Sequence, residues 1–271
     1  MKKRTMTVIC IFALIALASS YAAHAKDITT ASDTLAQMVT DLQTGVDNMA
    51  NDFKEAARKI AAVEFTGDNA RAILSDLCRR HSAYAVDCAA IDKKGVMVTI
   101  EPKPYDRFEG ADISKQEITI DVDRTKKLVM SDVFFTVEKI PAISFQGPVT
   151  SPKGEWLGQL SILFKPDLFI KDLIKKATSW SIYEAWVMQK DGKFLYNPDP
   201  AQNGLNIFTN PYNKNLTELV NLGKMITDQP QGTDIFHYLG TGRAGRLAKR
   251  CTWQTLDLYN TEWRVVLVEK L

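Results

Sequence analysis

Apolar side chains recur every three or four positions at Leu35, Val39, Leu42, Val46, Met49, Phe53, Ala56, Ile60 and Val63. On a helix these positions share one face, so the spacing predicts a long helix over residues 27–63, with Ser32 or Asp33 as its cap. Gly45 weakens it by about 1 kcal/mol relative to alanine. The alternating steps of four and three make a heptad seam. Two uses of that seam are open: a stalk or dimer helix, or a stripe that packs on its own domain.

After the Thr66-Gly67-Asp68-Asn69 break a second helix is expected over 70–80. The pattern then shortens to strands at 84–91, 96–100, 129–137, 142–148 and 157–164, with a helical turn near 114–119. A helix over 166–178 carries Leu168, Phe169, Leu173 and Ile174 on one side. Past a junction near Ser179 the order restarts. Strands are expected at 183–188 and 194–196, then a loop rich in Pro, Asn and Gly. A helix over 216–226 and a closing set of strands ending with 252–259 and 263–268 follow.

The two halves are also spelled alike. Lys93-Lys94-Gly95-Val96-Met97 is echoed by Lys190-Asp191-Gly192-Lys193-Phe194, and Gly154-Glu155-Trp156-Leu157 by Thr261-Glu262-Trp263-Arg264. Duplication of one small module fits these echoes. The alternative is that hairpin turns reuse the same few residues. The fold class expected is α+β: a long N-terminal helix followed by two modules, each a mainly antiparallel sheet with flanking helices.

Lys2, Lys3 and Arg4, an apolar run from Met6 to Ala18, and Ala23-His24-Ala25 read as a secretory signal over residues 1–25, cleaved after Ala25. An uncleaved anchor is the alternative. The expected location is the periplasm or the medium. Removing the signal takes the formal charge from +2 to −1. No basic excess then remains to bind nucleic acid through counter-ion release. The chain closes soon after its last strand-like run, which reads as a free-standing protein without a signalling tail. Length allows modules at 64–178 and 179–271. An oxidising compartment permits a Cys78–Cys88 disulfide; the alternative is two buried thiols, with Cys251 an unpaired core residue.

Catalytic constellations are thin. The histidines beyond the signal are His81 and His237, without metal-pair spacing, and there is no Gly-x-Ser-x-Gly elbow. A carboxylate pair hidden among acids such as Asp121, Asp123 and Glu138 stays open. Gly240-Thr241-Gly242-Arg243-Ala244-Gly245 matches G-x-G-x-x-G, but a strand rather than a phosphate-binding helix is expected after it. No enzyme, cofactor or metal is expected.

Ile100-Glu101-Pro102-x-x-Tyr105, Gly110-x-Asp112-Ile113-Ser114, Met130-Ser131-Asp132 and Gly147-Pro148-Val149 in the first half resemble the double Cache domains, PAS-like extracytoplasmic sensors. So do Trp186-Val187-Met188, Asp191-Gly192, Tyr196-Asn197-x-Asp199 and Gly204-x-Asn206-x-Phe208 in the second. The resemblance implies a membrane-distal-type and a membrane-proximal-type Cache module, with a small polar ligand usually held in the distal one. Amino acids, amines, carboxylates and purines are the ligand classes it implies. Arg107-Phe108-Glu109 does not reproduce the Arg-x-Trp-aromatic cluster of amino-acid-binding members, so an amino acid is not implied, leaving a carboxylate, amine or purine.

On this resemblance the ligand-binding residues expected are Tyr105, Arg107, Phe108, Asp112, Ser131, Asp132 and Phe145. Arg107 suits a carboxylate and Asp112 an amine. The plainer roles are a solvated charge for Arg107 and a helix-turn cap for Asp112. Tyr183, Trp186 and Tyr196 are expected around a second, proximal pocket, or in core. The function expected is an exported small-molecule sensor passing occupancy to a membrane receptor or transporter. The alternative is an interaction module, such as a homodimer formed through the heptad seam, with no small ligand.

Overall fold

The computed structural model describes residues 30–178, 183–239 and 246–271. The segment read as a signal, the expected junction at Ser179 and the Gly-rich stretch 240–245 lie outside the described residues. No described helix is long and apolar enough to cross a membrane.

Helix α1 runs over Ala31–Ile60. Its cap is Thr30, ahead of the two residues expected. The Thr30 hydroxyl accepts from the Asp33 amide at 3.1 Å, while the Asp33 carboxylate accepts from the Thr30 amide at 3.3 Å. This reciprocal box needs an acceptor three residues on, which Thr30 has in Asp33. The apolar stripe faces the chain's own sheets: Leu42, Val46, Met49 and Ile60 are fully buried. Along other faces of the helix Gln37 donates to Asp41 and Gln43 donates to Asp47. The seam is therefore consumed by intramolecular packing, which removes it as a dimer surface.

The first sheet contains β1 (Ala85–Ile91), β2 (Met97–Glu101), β3 (Val129–Met130), β4 (Phe134–Phe135), β5 (Pro141–Thr150) and β6 (Trp156–Phe164). Their order is β2-β1-β6-β5-β3, with β4 also on β5. The second contains β7 (Tyr183–Gln189), β8 (Phe194–Tyr196), β9 (Gln231–Leu239), β10 (Arg246–Leu258) and β11 (Thr261–Lys270), in the order β8-β7-β11-β10-β9. Every pairing is antiparallel. The remaining helices are α2 (Asp68–Arg80), α3 (Glu117–Thr125), α4 (Pro166–Thr178) and α5 (Thr217–Asp228). The strand expected over 129–137 is split into β3 and β4, and the helical turn expected near 114–119 lies further on as α3. β10 follows the Gly-rich stretch in sequence, so a strand stands where a dinucleotide site needs a helix.

The two sheets follow one path, and their details coincide. Gly95 and Gly192 both have positive φ, 80° and 89°, at the first hairpin of each sheet. A Cβ at Gly95 would meet Ser114 at 2.6 Å, and one at Gly192 would meet Phe208 at 2.5 Å. In each half the returning segment docks the same way: Ile113 N–H to the Gly95 carbonyl and Ile207 N–H to the Gly192 carbonyl, both at 2.9 Å. The second echo is two residues out of register. Ala90 faces Leu160 and Val187 faces Val265, so Trp263 stands at the place of Gly158, not Trp156.

Between the sheets, residues 130–133 meet the second half. The Met130 amide donates to the Tyr259 carbonyl at 2.8 Å, and the Val133 amide to Gln189 Oε1 at 2.8 Å.

Candidate functional site

Successive side chains on a strand point to opposite faces. On the first sheet Cys88, Phe145 and Ile162 join the core under α1. Asp87, Ser144, Gln146, Ser161 and Leu163 face the other way, as the floor of a cavity of about 30 Å³. Met97, Ile113 and Gln116 close one side, and Phe134, Thr136, Val137 and Glu138 close the other. That space suits about one water, so a larger guest enters only if the covering segments move.

The floor is polar yet buried, and part of it is wired together. Gln146 Nε2 donates to Gln159 Oε1 and, at 3.2 Å, to the Thr119 hydroxyl; Gln159 Nε2 donates to the Thr119 carbonyl at 3.1 Å. Three buried atoms at the cavity have no partner: Asp87 Oδ2, Thr136 Oγ1 and Glu138 Oε1. Such groups forfeit hydration without recovering a hydrogen bond. Burial, reinforced by the nearby Glu138 and Cys78, holds the Asp87 carboxyl well above the usual carboxylate range.

One rim is fixed firmly. Arg71 of α2 pairs with Glu109 at 2.7 Å and Glu101 at 3.2 Å, and Glu109 also accepts from the Ile100 amide at 3.0 Å. These bonds anchor the 3-10 turn Lys103–Phe108 against β2. The opposite rim turns at Lys139, where φ is 62°, and the Thr136 amide donates to the Ile140 carbonyl at 3.1 Å.

None of the seven residues expected from the sequence lines this cavity. Tyr105 and Phe108 stack with centroids 6.5 Å apart and back the apolar wall from behind. Arg107 is exposed, 4.9 Å over the Phe108 ring. Asp112 is exposed and accepts from the Ser114 amide at 2.9 Å, the turn-capping role. Phe145 faces away from this cavity, 5.9 Å from Phe53 and 5.0 Å from Tyr259 by ring centroids. Ser131 Oγ accepts from the Ser144 amide at 3.0 Å, beside the floor. Asp132 turns to the second half, accepting from Thr261 Oγ1 at 2.7 Å.

The proposed second pocket is not assembled. Tyr183 and Tyr196 pack on the α1 side of the second sheet. Trp186 lies on its other face with Phe194 and Phe236, at centroid distances of 5.9 and 6.2 Å. Cys78 and Cys88, the pair expected to bridge, are both buried, in hydrogen-bonding contact, and carried as free thiols in this structure. α2 lies across β1 and brings the two sulfurs into one apolar layer. Cys251 is buried in the second core, which pushes its thiol up to about 12.

The cavity residues carried a signal in the sequence. Ser144-x-Gln146 and Gln159-x-Ser161 place polar residues at alternate positions in otherwise apolar strands. Asp87 gives the same cue as the lone charge in Ala85–Ile91, whereas Glu138 gives none, because its turn holds other charged and polar residues.

The ladders give three floor residues and the neighbouring Ala89 apolar counterparts in the second sheet. Ser144 corresponds to Cys251, Gln146 to Trp253, Ser161 to Val266 and Ala89 to Trp186. All four counterparts belong to one apolar core that also includes Phe194, Leu222 and Ile226. The same architecture is thus hollow and polar in one half and filled in the other. α5 is sewn over the filled face by buried Arg264, whose Nε donates to the Ile226 carbonyl at 2.9 Å, and by Trp253 Nε1, which donates to Gln229 at 3.1 Å.

A larger hollow of about 280 Å³ lies between α1 and α2. Its Asp52, Glu55, Asp76 and Arg80 pair with one another, so it presents no unanswered group. Among the described residues no group of three or more His, Cys, Asp or Glu is placed to hold a metal.

Residues 44–166 match the family described as HK/GC/Chemotaxis protein-like, sensor domain. Among solved structures, the chain is 28% identical to an extracellular ligand binding receptor from Desulfohalobium retbaense DSM5692, with a TM-score of 0.71. That match covers 88% of this chain and 40% of the receptor chain, so the chain spans well under half of that relative. The ligand-binding domain of the Pseudomonas aeruginosa PAO1 amino acid chemoreceptor PctC, solved with GABA, matches at 15% identity and a TM-score of 0.60, covering 87% of this chain and 96% of that one. The ligand-binding domain of the Pseudomonas fluorescens chemoreceptor CtaA, solved with L-serine, matches at 14% identity and 0.59, covering 86% and 92%. A search of curated proteins finds no match.

Proposed function

We propose, from the premise that this chain is a sensor domain of the double Cache fold, that it binds a small polar molecule in the first of its two modules. The observation that carries this is the internal contrast between the copies. The first sheet keeps Ser144, Gln146 and Ser161 buried around a space with unpartnered oxygens, where the second has Cys251, Trp253 and Val266 in solid core. Buried polar groups without partners destabilise a fold, so their retention beside a cavity fits a guest that answers them. The module bounds are 64–178 for the binding copy and 179–271 for the supporting one.

The protein acts by binding, not by catalysis. Its apolar N-terminal segment directs export, and cleavage after Ala25 releases it to the periplasm or the medium. Occupancy passes to a membrane receptor or transporter through the segment 130–138. One end of that segment covers the cavity and the other is hydrogen-bonded to the second module. A ligand shifts that contact only if it binds one arrangement of the segment better than another.

Isothermal titration and melting curves against amines, carboxylates, amino acids and purines test the reading. A true ligand at a hundredfold excess over its Kd stabilises by about 2.7 kcal/mol, and Gln146→Trp, which copies the filled module, removes that effect. Absence of any binder to folded protein, or a binder unaffected by the cavity-filling variant, would refute it.

A further inference from the structure

We infer that the guest of this cavity is a small aliphatic amine without a carboxylate, its ammonium held between Asp87 and Glu138. This rests on the cavity being the ligand site. Both acids present a buried, unpartnered oxygen there, and the Asp87 residue is only 1% exposed. No Lys, Arg or His lines the space. A zwitterionic amino acid or a simple carboxylate would therefore bury its negative charge beside two acids with no counter-ion. An ammonium instead supplies donors to both. Apolar Met97, Ile113, Phe134 and Leu163 suit methylene groups.

At the station that matches Asp87 the second module pairs an acid with an ammonium of its own chain. By the strand registers, Asp87 corresponds to Glu184 and Ala142 to Lys249. Lys249 Nζ donates to Glu184 Oε2 at 2.7 Å. Burial favours the neutral form of Glu184, yet Lys249, with Lys270, brings its carboxyl below the usual range. In the first module the lysine station holds Ala142, whose methyl group leaves the matching acid unanswered. An external ammonium would complete in one copy what a lysine completes in the other.

The test uses the full chain and three matched four-carbon probes: 1,4-diaminobutane, 4-aminobutanoate and butanoate. Ethanolamine, adenine, magnesium chloride and calcium chloride are added as further arms. Titration should give binding of 1,4-diaminobutane or ethanolamine, with 4-aminobutanoate at least tenfold weaker than the diamine and butanoate silent. Asp87→Asn and Glu138→Gln, each confirmed folded by its melting curve, should weaken the amine at least tenfold. Ala142→Lys should abolish amine binding by supplying a tethered ammonium.

Binding of 4-aminobutanoate or butanoate as tight as the diamine overturns the inference. So does saturation by a divalent cation or by adenine in place of an amine. If such a rival probe is lost in Gln146→Trp, the cavity stands as a ligand site and only the amine assignment fails. Silence of folded protein toward every probe overturns the amine assignment, and silence across the broader panel above overturns the ligand site as well.

Discussion

The Thr261 hydroxyl donates to Asp132 Oδ1 at 2.7 Å, joining the start of β11 to the segment that leads into the cavity wall. Three residues separate Asp132 from Thr136, whose own hydroxyl lacks a partner at the cavity. The link between modules and the cover of the cavity are thus one short stretch of chain. Thr261→Val should cost about 0.5–1.5 kcal/mol. Hydrogen exchange should also quicken at 131–133, while the affinity of the cavity for its ligand changes little. Unchanged exchange in that stretch would count against the coupling.

Asp87 gives a signed pH dependence. Its carboxyl is held above the unfolded value of about 3.9. The folded chain therefore keeps a proton that the unfolded chain has lost. This group's contribution is most favourable below the unfolded pKa and declines as pH rises toward the folded one. Asp87→Asn should remove that decline, so the variant gains in Tm over the parent from pH 4 to 7 without ligand. Parallel melting curves across that range would show that Asp87 is not desolvated as described.

Ser161→Val copies the filled module at one position, since Val266 is its counterpart. It should stabilise the empty protein by about 0.5–2 kcal/mol and weaken ligand binding. Measured together by melting and titration, a gain in stability with full affinity would remove Ser161 from the site.

Phe53 of α1 is 2% exposed and packs edge-on against Phe145. Phe53→Ala should cost about 3–5 kcal/mol in urea or guanidinium unfolding. If the seam were a dimer surface, the same change would instead lower the oligomer mass and leave monomer stability intact.

Helix α1 was legible because its stripe holds one period over seven turns, and a one-sided stripe fixes a helix whatever covers it. The sequence left open what that cover is, since a seam reads the same against a partner helix as against two sheets. The hairpins at Gly95 and Gly192 were legible for a related reason. Each needs a positive φ and close approach of a following segment, and glycine meets both needs at once. The second echo misled by two residues, because Trp156 and Trp263 look alike in a string while only the ladders fix which residue each one faces.

Of the candidate cavity, the sequence reading reached the surrounding loop and strands but not the lining residues. Tyr105, Phe108 and Asp112 lie in the expected loop, but they brace it or cap its turns. Phe145 was lost to strand parity: one step along β5 exchanges the cavity floor for the core under α1, and a strand with apolar residues on both faces does not announce which is which. Asp87 and Glu138 lie 51 positions apart in the chain and come to line one cavity only in the folded protein. Local chemistry in the chain by itself determined the helix, the two modules and their shared hairpin, because those depend on neighbours a few residues away. Which face each strand buries, which copy stays hollow, and which acids go without partners were decided by tertiary structure, because burial and charge depend on atoms brought together from distant positions.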